Sequence, residues 1–158
     1  MTQDNQPTIV LRANEGEGES TFFAREFMTW KATAGTTGGR YDQVETVTLP
    51  ESGPPEHTHN TQDELFYFLA GAYRVKVGDR VFTASAGDFV RVPAGTPHAW
   101  RCIGKDAGKI LLTYVPGGLR GFFEEIRPLY LAPEMDMAAA AAIGAKYGLA
   151  LTGPPLTE

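Results

Sequence analysis

Between residues 41 and 115 the apolar side chains fall in short runs with a period of two, and glycine or proline separates the runs. Residues 41–49 (YDQVETVTL) alternate and are rich in valine and threonine, the composition of a half-buried strand. Residues 64–69 (ELFYFL) form a short aromatic run that ends at Gly71. Residues 73–77 and 80–83 flank Gly78 and Asp79, a two-residue connection suited to a hairpin. Residues 89–92, 99–103 and 109–115 continue the series at regular spacing, which predicts an all-β sandwich or barrel. Upstream, residues 8–12 (TIVLR) read as a short strand and residues 22–32 as a longer one, while residues 14–20 and 35–39 (GTTGG) read as connections. The first seven residues read as a loose tail. Past Pro116 the period changes, and residues 121–127 (GFFEEIR) and 135–147 (MDMAAAAAIGAKY) predict helices. The alanine run has high helix propensity, and Lys146 sits where it complements the helix dipole. Phe122, Phe123, Ile126, Met137, Ile143 and Tyr147 need cover, which puts these helices against the outside of the barrel or against a second subunit.

A length of 158 residues suits one domain, with the barrel over residues 8–115 and a helical extension over 116–158, and a core large enough to need no disulfide. Eighteen glycines and eleven prolines fit many turns between short strands. A net charge of −5 argues against nucleic acid or an anionic membrane as the partner. No apolar run approaches the roughly 20 residues of a membrane helix. The opening MTQDNQPT has neither a basic nor an apolar leader region, and the single cysteine, Cys102, fits a reducing cytoplasm.

All three histidines have a place in this pattern. His57 and His59 alternate in a strand-like segment, so both leave one face, about 6.6–6.8 Å apart along the strand. Imidazole–metal bonds of about 2.0–2.1 Å let one ion sit between them. Glu64 opens the next apolar run, and His98 ends a turn rich in proline and glycine. Three imidazoles and a carboxylate form a borderline N/O donor set suited to one divalent iron, manganese, nickel, cobalt, copper or zinc ion, with positions left open. Glu64 has a second reading as a protonated or salt-bridged core carboxylate. Phe66 and Phe68 share the strand parity of Glu64, and Trp100 shares that of His98, so they line the same interior, either as pocket wall or as plain core. Phe89 has the same two readings. Trp100 and Tyr73 are the better pocket candidates because each carries a polar handle. Cys102 reads as a small buried hydrophobe and Arg91 as an exposed strand charge.

The segments GPPEHTHNTQDELFYFLAG (53–71) and GDFVRVPAGTPHAWRC (87–102) together closely resemble the paired signature motifs of the cupin superfamily. Gly53, His57, His59, Glu64 and Gly71 match the first motif; Gly87, Pro93, Gly95 and His98 match the second. The one departure is Cys102, where the family motif has asparagine. The resemblance covers roughly residues 8–115 and implies a jelly-roll barrel of six to eight strands in two sheets. It also implies metal ligation by His57, His59, Glu64 and His98. The flanking text is similar to single-domain bacterial cupins described as quercetin 2,3-dioxygenase-like, a group of varied activities.

These readings together predict a metal-dependent oxygenase acting on a small aromatic or enolic molecule, with Glu64 as ligand and transient base and Phe66, Phe68, Tyr73 and Trp100 around the substrate. A non-oxidative isomerase, lyase or cyclase using the metal as a Lewis acid is the alternative, and a binding module without turnover is a third. A homodimer is expected, because barrel edges are natural association surfaces.

Overall fold

The computed structural model describes residues 8–157. Eleven strands and three helices follow in the order β1 (Thr21–Phe23), β2 (Glu26–Ala32), α1 (Ala34–Thr37), β3 (Asp42–Thr48), β4 (Pro55–His59), β5 (Asp63–Ala70), β6 (Ala72–Val77), β7 (Arg80–Ser85), β8 (Phe89–Val92), β9 (His98–Cys102), β10 (Gly108–Val115), α2 (Arg120–Leu131), α3 (Met137–Lys146) and β11 (Leu149–Pro155). The strands form two antiparallel sheets, ordered β1-β2-β3-β10-β5-β8 and β11-β4-β9-β6-β7. The two face each other as a jelly-roll barrel.

Period-two burial makes the interior. On β3 it selects Asp42, Val44, Thr46 and Thr48; on β5 it selects Glu64, Phe66 and Phe68; on β10 it selects Gly108, Ile110, Leu112 and Tyr114. The apolar ones among them, with Met28, Trp30, Tyr73, Val75, Val92 and Trp100, fill one core. Each large apolar side chain buried there contributes about 1.5–3 kcal/mol. The turn at Gly78 and Asp79 closes the β6–β7 hairpin, with Val77 opposite Arg80. Gly53 permits a close approach: a Cβ there would lie 1.8 Å from the carbonyl oxygen of Trp100, which explains a glycine at that motif position.

Several expectations change. Residues 8–12 form no strand; the first sheet ends at β1, and Ile9 and Val10 stay exposed with no alternation to bury one face. The segment 22–32 is a hairpin rather than one strand, because Ala24 and Arg25 both take positive φ and turn the chain in two residues. Where a turn is expected over residues 35–39, Ala34–Thr37 close into a short helix, whose Thr33 and Thr36 cap its start reciprocally while Gly38 ends it in the left-handed conformation. The expected tail, residues 1–7, lies outside the described residues.

Helix α2 runs through Pro128 to Leu131, beyond the predicted end. Phe122 and Phe123 pack on Phe23, and Phe123 packs on Trp30, so α2 covers β1 and β2 on the face that also carries Glu26 and Met28. The expected helical extension also ends as a strand. β11 adds to the edge of β4, pairing Leu149 with His59 and Leu151 with His57. Its sequence LALTGPP carries a glycine and two prolines, and the prolines are tolerated because it is an edge strand.

Candidate metal centre

Strand β4 carries His57 and His59, β9 begins with His98, and His57 and His98 are direct register partners. The turn between β8 and β9 seats His98: Gly95 N–H donates to the His59 carbonyl at 2.8 Å, and Gly78 N–H donates to the Pro97 carbonyl at 2.8 Å. Glu64 reaches the three rings from the facing sheet. The four are buried, with relative exposures of 6% for His57, 3% for His59, 0% for Glu64 and 1% for His98. Ring centroids lie 4.4 Å apart for His57–His98, 5.0 Å for His57–His59 and 5.5 Å for His59–His98.

The donor set fits one transition-metal ion. One ligand atom from each of the four residues lies within 4.8 Å of all the others. Ligands on an ion with bonds of about 2.0–2.2 Å stand at most about 4.4 Å apart, so small side-chain shifts complete a coordination sphere. The rings are also turned correctly. His57 Nδ1 bonds the Pro55 carbonyl and His98 Nδ1 bonds the Thr96 carbonyl, both at 2.8 Å, which leaves each Nε2 as the donor toward the centre. Glu64 Oε2 lies 2.7 Å from His98 Nε2 and 3.2 Å from His59 Nε2. Both ring nitrogens of His59 and the second oxygen of Glu64 are buried without a hydrogen-bond partner among the described residues. Buried polar atoms of that kind call for a ligand.

Electrostatics point the same way. Burial, reinforced by the neighbouring rings of His98 and His59, pushes the His57 imidazole down to about 3, so it is neutral and free to ligate. Burial would raise the carboxyl of Glu64, but His59 and His98 outweigh it and keep the group ionised, far below its ordinary range. Burial opposes the charged form of His98, yet the carboxylate of Glu64 shifts that ring upward.

The structure brings the four expected aromatic residues into the interior in two layers. Phe66 stands 5.9 Å from the His98 ring and 5.1 Å from Trp100, and Trp100 stands 6.1 Å from His57. Phe68 and Tyr73 pack on each other at 5.1 Å, one layer further from the histidines. Phe89 lies elsewhere: it is 59% exposed on the outer face of edge strand β8, so neither of its two sequence readings holds. Arg91 pairs with Asp63 on the surface at 2.7 Å, and Cys102 is fully buried.

Two residues of the site were missed from sequence. Tyr114 on β10 is the register partner of Glu64 and packs 5.5 Å from the His59 ring, with its phenol pushed up by burial and by the charge of Glu64. Glu26, at the start of β2, is buried and accepts the indole N–H of Trp100 at 3.1 Å and the hydroxyl of Thr48 at 3.2 Å. Strand parity could have found both, since Tyr114 shares the phase of Ile110 and Leu112, and Glu26 that of Met28 and Trp30.

A family model described as a cupin domain matches residues 45–114, the span that holds all four cluster residues. A stretch of 65 residues, 39% of this chain and 37% of the relative, is 43% identical to acireductone dioxygenase 1 of Pectobacterium atrosepticum. A stretch of 101 residues, 64% of this chain and 29% of the relative, is 30% identical to quercetin 2,3-dioxygenase of Bacillus subtilis. The chain thus spans about a third of the length of these two relatives. Among solved structures, an RmlC-like cupin from Shewanella frigidimarina superimposes with a TM-score of 0.59 at 17% identity, over 71% of this chain and 95% of that one.

Proposed function

The chain belongs to the cupin superfamily, and from that premise we propose a metal-dependent oxygenase that acts on a small aromatic or enolic molecule, its single divalent ion held by His57, His59, Glu64 and His98. The observation that carries this reading is the convergence of those four buried ligand atoms within 4.8 Å. The names of the two curated relatives, dioxygenases of acireductone and of quercetin, support oxygen use.

When bound, such an ion supplies a Lewis acid with open positions for a chelating oxygen and for dioxygen. The rest falls to the protein. The carbonyls of Pro55 and Thr96 hold the His57 and His98 rings with Nε2 inward, fixing tautomer and direction. Glu64 has one oxygen without a hydrogen-bond partner, and in this reading that oxygen receives the proton of a substrate hydroxyl placed about 2.6–3.2 Å away. Phe66 and Trp100 keep water from the cluster, and a drier site strengthens each charge interaction within it. Phe68 and Tyr73 belong to the substrate wall in this reading.

Metal analysis of the purified protein, followed by a screen of flavonols and enediols with and without dioxygen, tests it. Oxygen-dependent product is expected, with Glu64→Gln retaining some metal and losing turnover. Equal turnover without dioxygen would replace the oxygenase by a non-oxidative isomerase, lyase or cyclase, and a variant as active and as metal-loaded as wild type would remove Glu64 from the mechanism. Homodimer formation is part of the proposal: Phe22, Phe27, Tyr67 and Phe89 are 41–59% exposed on the outer face of the six-stranded sheet, and a monomeric mass at micromolar concentration would refute it.

A further inference from the structure

The barrel interior holds a second buried carboxyl that the proposed chemistry leaves unused. Glu26 enters from the six-stranded sheet, is 6% exposed, and spends its Oε1 on two donors, the indole N–H of Trp100 at 3.1 Å and the Thr48 hydroxyl at 3.2 Å. Trp100 belongs to the opposite sheet, two residues after His98 on β9. Its ring stands edge-to-face with His57 at 6.1 Å and with Phe66 at 5.1 Å, both within the range of favourable aromatic contact.

We propose that Glu26 is a positioning residue of the metal centre, which grips the indole edge of Trp100 across the barrel and thereby sets the angle at which the ring meets His57. The proposal rests on the metal-centre reading given above for its consequence, but its geometry stands without it. A core that needed only a filler opposite Trp100 would carry an apolar side chain on β2, because an unpartnered indole N–H costs about 1–3 kcal/mol and a buried carboxyl costs more. Burial raises the carboxyl of Glu26 to about 7 against the lowering effect of the bonds from Trp100 and Thr48, with Glu64 adding to the rise. A hydrogen bond donated by the indole to a group held at that cost fixes one rotation of the ring. His57 has its own anchor at the Pro55 carbonyl, so the indole acts as the second support of that ring. Supports of this kind around ligating histidines typically govern 10–100-fold in metal affinity.

The experiment compares wild type with Glu26→Gln, Glu26→Leu, Trp100→Phe and the Glu26→Leu/Trp100→Phe double variant. Gln keeps an oxygen acceptor, Leu keeps the volume without one, and Phe keeps an aromatic ring without the N–H. The first readout is nitrogen-15 NMR of the metal-free protein, in which the two tryptophans give two indole resonances and the three histidines give resolvable rings. Expected is an unshifted Trp100 indole and His57 ring in Glu26→Gln, and a shift of both in Glu26→Leu. The second is Co(II) alone as probe, through its affinity and visible spectrum. Expected is a roughly tenfold or greater loss with a changed spectrum in Glu26→Leu and Trp100→Phe, rescue in Glu26→Gln, and a double variant no worse than either single one.

An unmoved His57 ring in Glu26→Leu, or losses that add in the double variant, overturns the proposal. If Glu26→Leu does not fold, Trp100→Phe against wild type decides by the His57 ring resonances and the Co(II) affinity and spectrum. If wild type itself binds no Co(II), the metal-centre reading fails on its own, and the NMR arm still decides whether Glu26 positions the ring.

Discussion

A carboxyl raised to about 7 makes Glu26 a source of pH-dependent stability. Its folded value lies above the ordinary 4.5, so the folded protein keeps a proton that the unfolded chain releases. The contribution is fully present below about pH 4.5 and is lost as pH rises through about 7, by about 3 kcal/mol in all. Glu26→Gln cannot lose a proton there. In urea titrations between pH 5 and pH 8 the stability of the variant relative to wild type should climb by most of that amount, while other titrating groups cancel in the difference. A pH-independent difference would mean that Glu26 is not neutral in the fold.

At the scale of elements, one side chain ties the starts of α1 and α2 to the barrel. Asp42 is fully buried at the start of β3. Its Oδ2 accepts the N–H groups of Gly118, Leu119 and Arg120 at 2.8, 2.7 and 3.2 Å, and its Oδ1 accepts the Ala34 N–H at the start of α1. It thus satisfies the free donors where α2 begins and places a carboxylate at the positive end of the helix. Asp42→Ala strands four donors and should cost roughly 3 kcal/mol, lowering Tm by about 10 °C, with Asp42→Asn intermediate. Unchanged melting of the Ala variant would show that the helix is held by its aromatic contacts alone.

β11 matters for a different reason. It covers the strand that carries His57 and His59, and Asn60 N–H donates to the Gly148 carbonyl at 2.7 Å just beyond that strand. Removing residues 149–158 leaves β4 with β9 as its only strand partner among the described residues, joined through the pair His57–His98. Metal affinity is expected to fall at least tenfold while most of the strand signal in circular dichroism persists, and affinity equal to that of the full chain would show that β11 is dispensable for the site.

For the molecule as a whole, the core is apolar on most interior positions and the histidine cluster occupies one part of it. Folding is therefore expected to proceed without an ion. His98→Ala should keep a cooperative unfolding transition and a barrel-like spectrum while losing most metal binding; a variant that cannot fold without the imidazole would make the cluster structural. Among the described residues no helix is long and apolar enough to cross a membrane.

What the sequence determined by itself was whatever strand parity and local turns encode. Alternation put Glu64, Phe66 and Phe68 on one face, the spacing of His57 and His59 put both rings on another, and the Gly78–Asp79 turn set a hairpin register. These follow from backbone geometry within a few residues, so they are legible without a partner. Only the tertiary structure decided the rest. Residues 8–12 have strand composition and join no edge, whereas LALTGPP lacks that composition and becomes a strand on the edge of β4. Parity puts Glu26 on the inner face with Met28 and Trp30, but its partner, the Trp100 indole, comes only from the facing sheet. A residue's role is set locally where its partners are neighbours in the chain, and by the closing of the two sheets where they lie dozens of residues away.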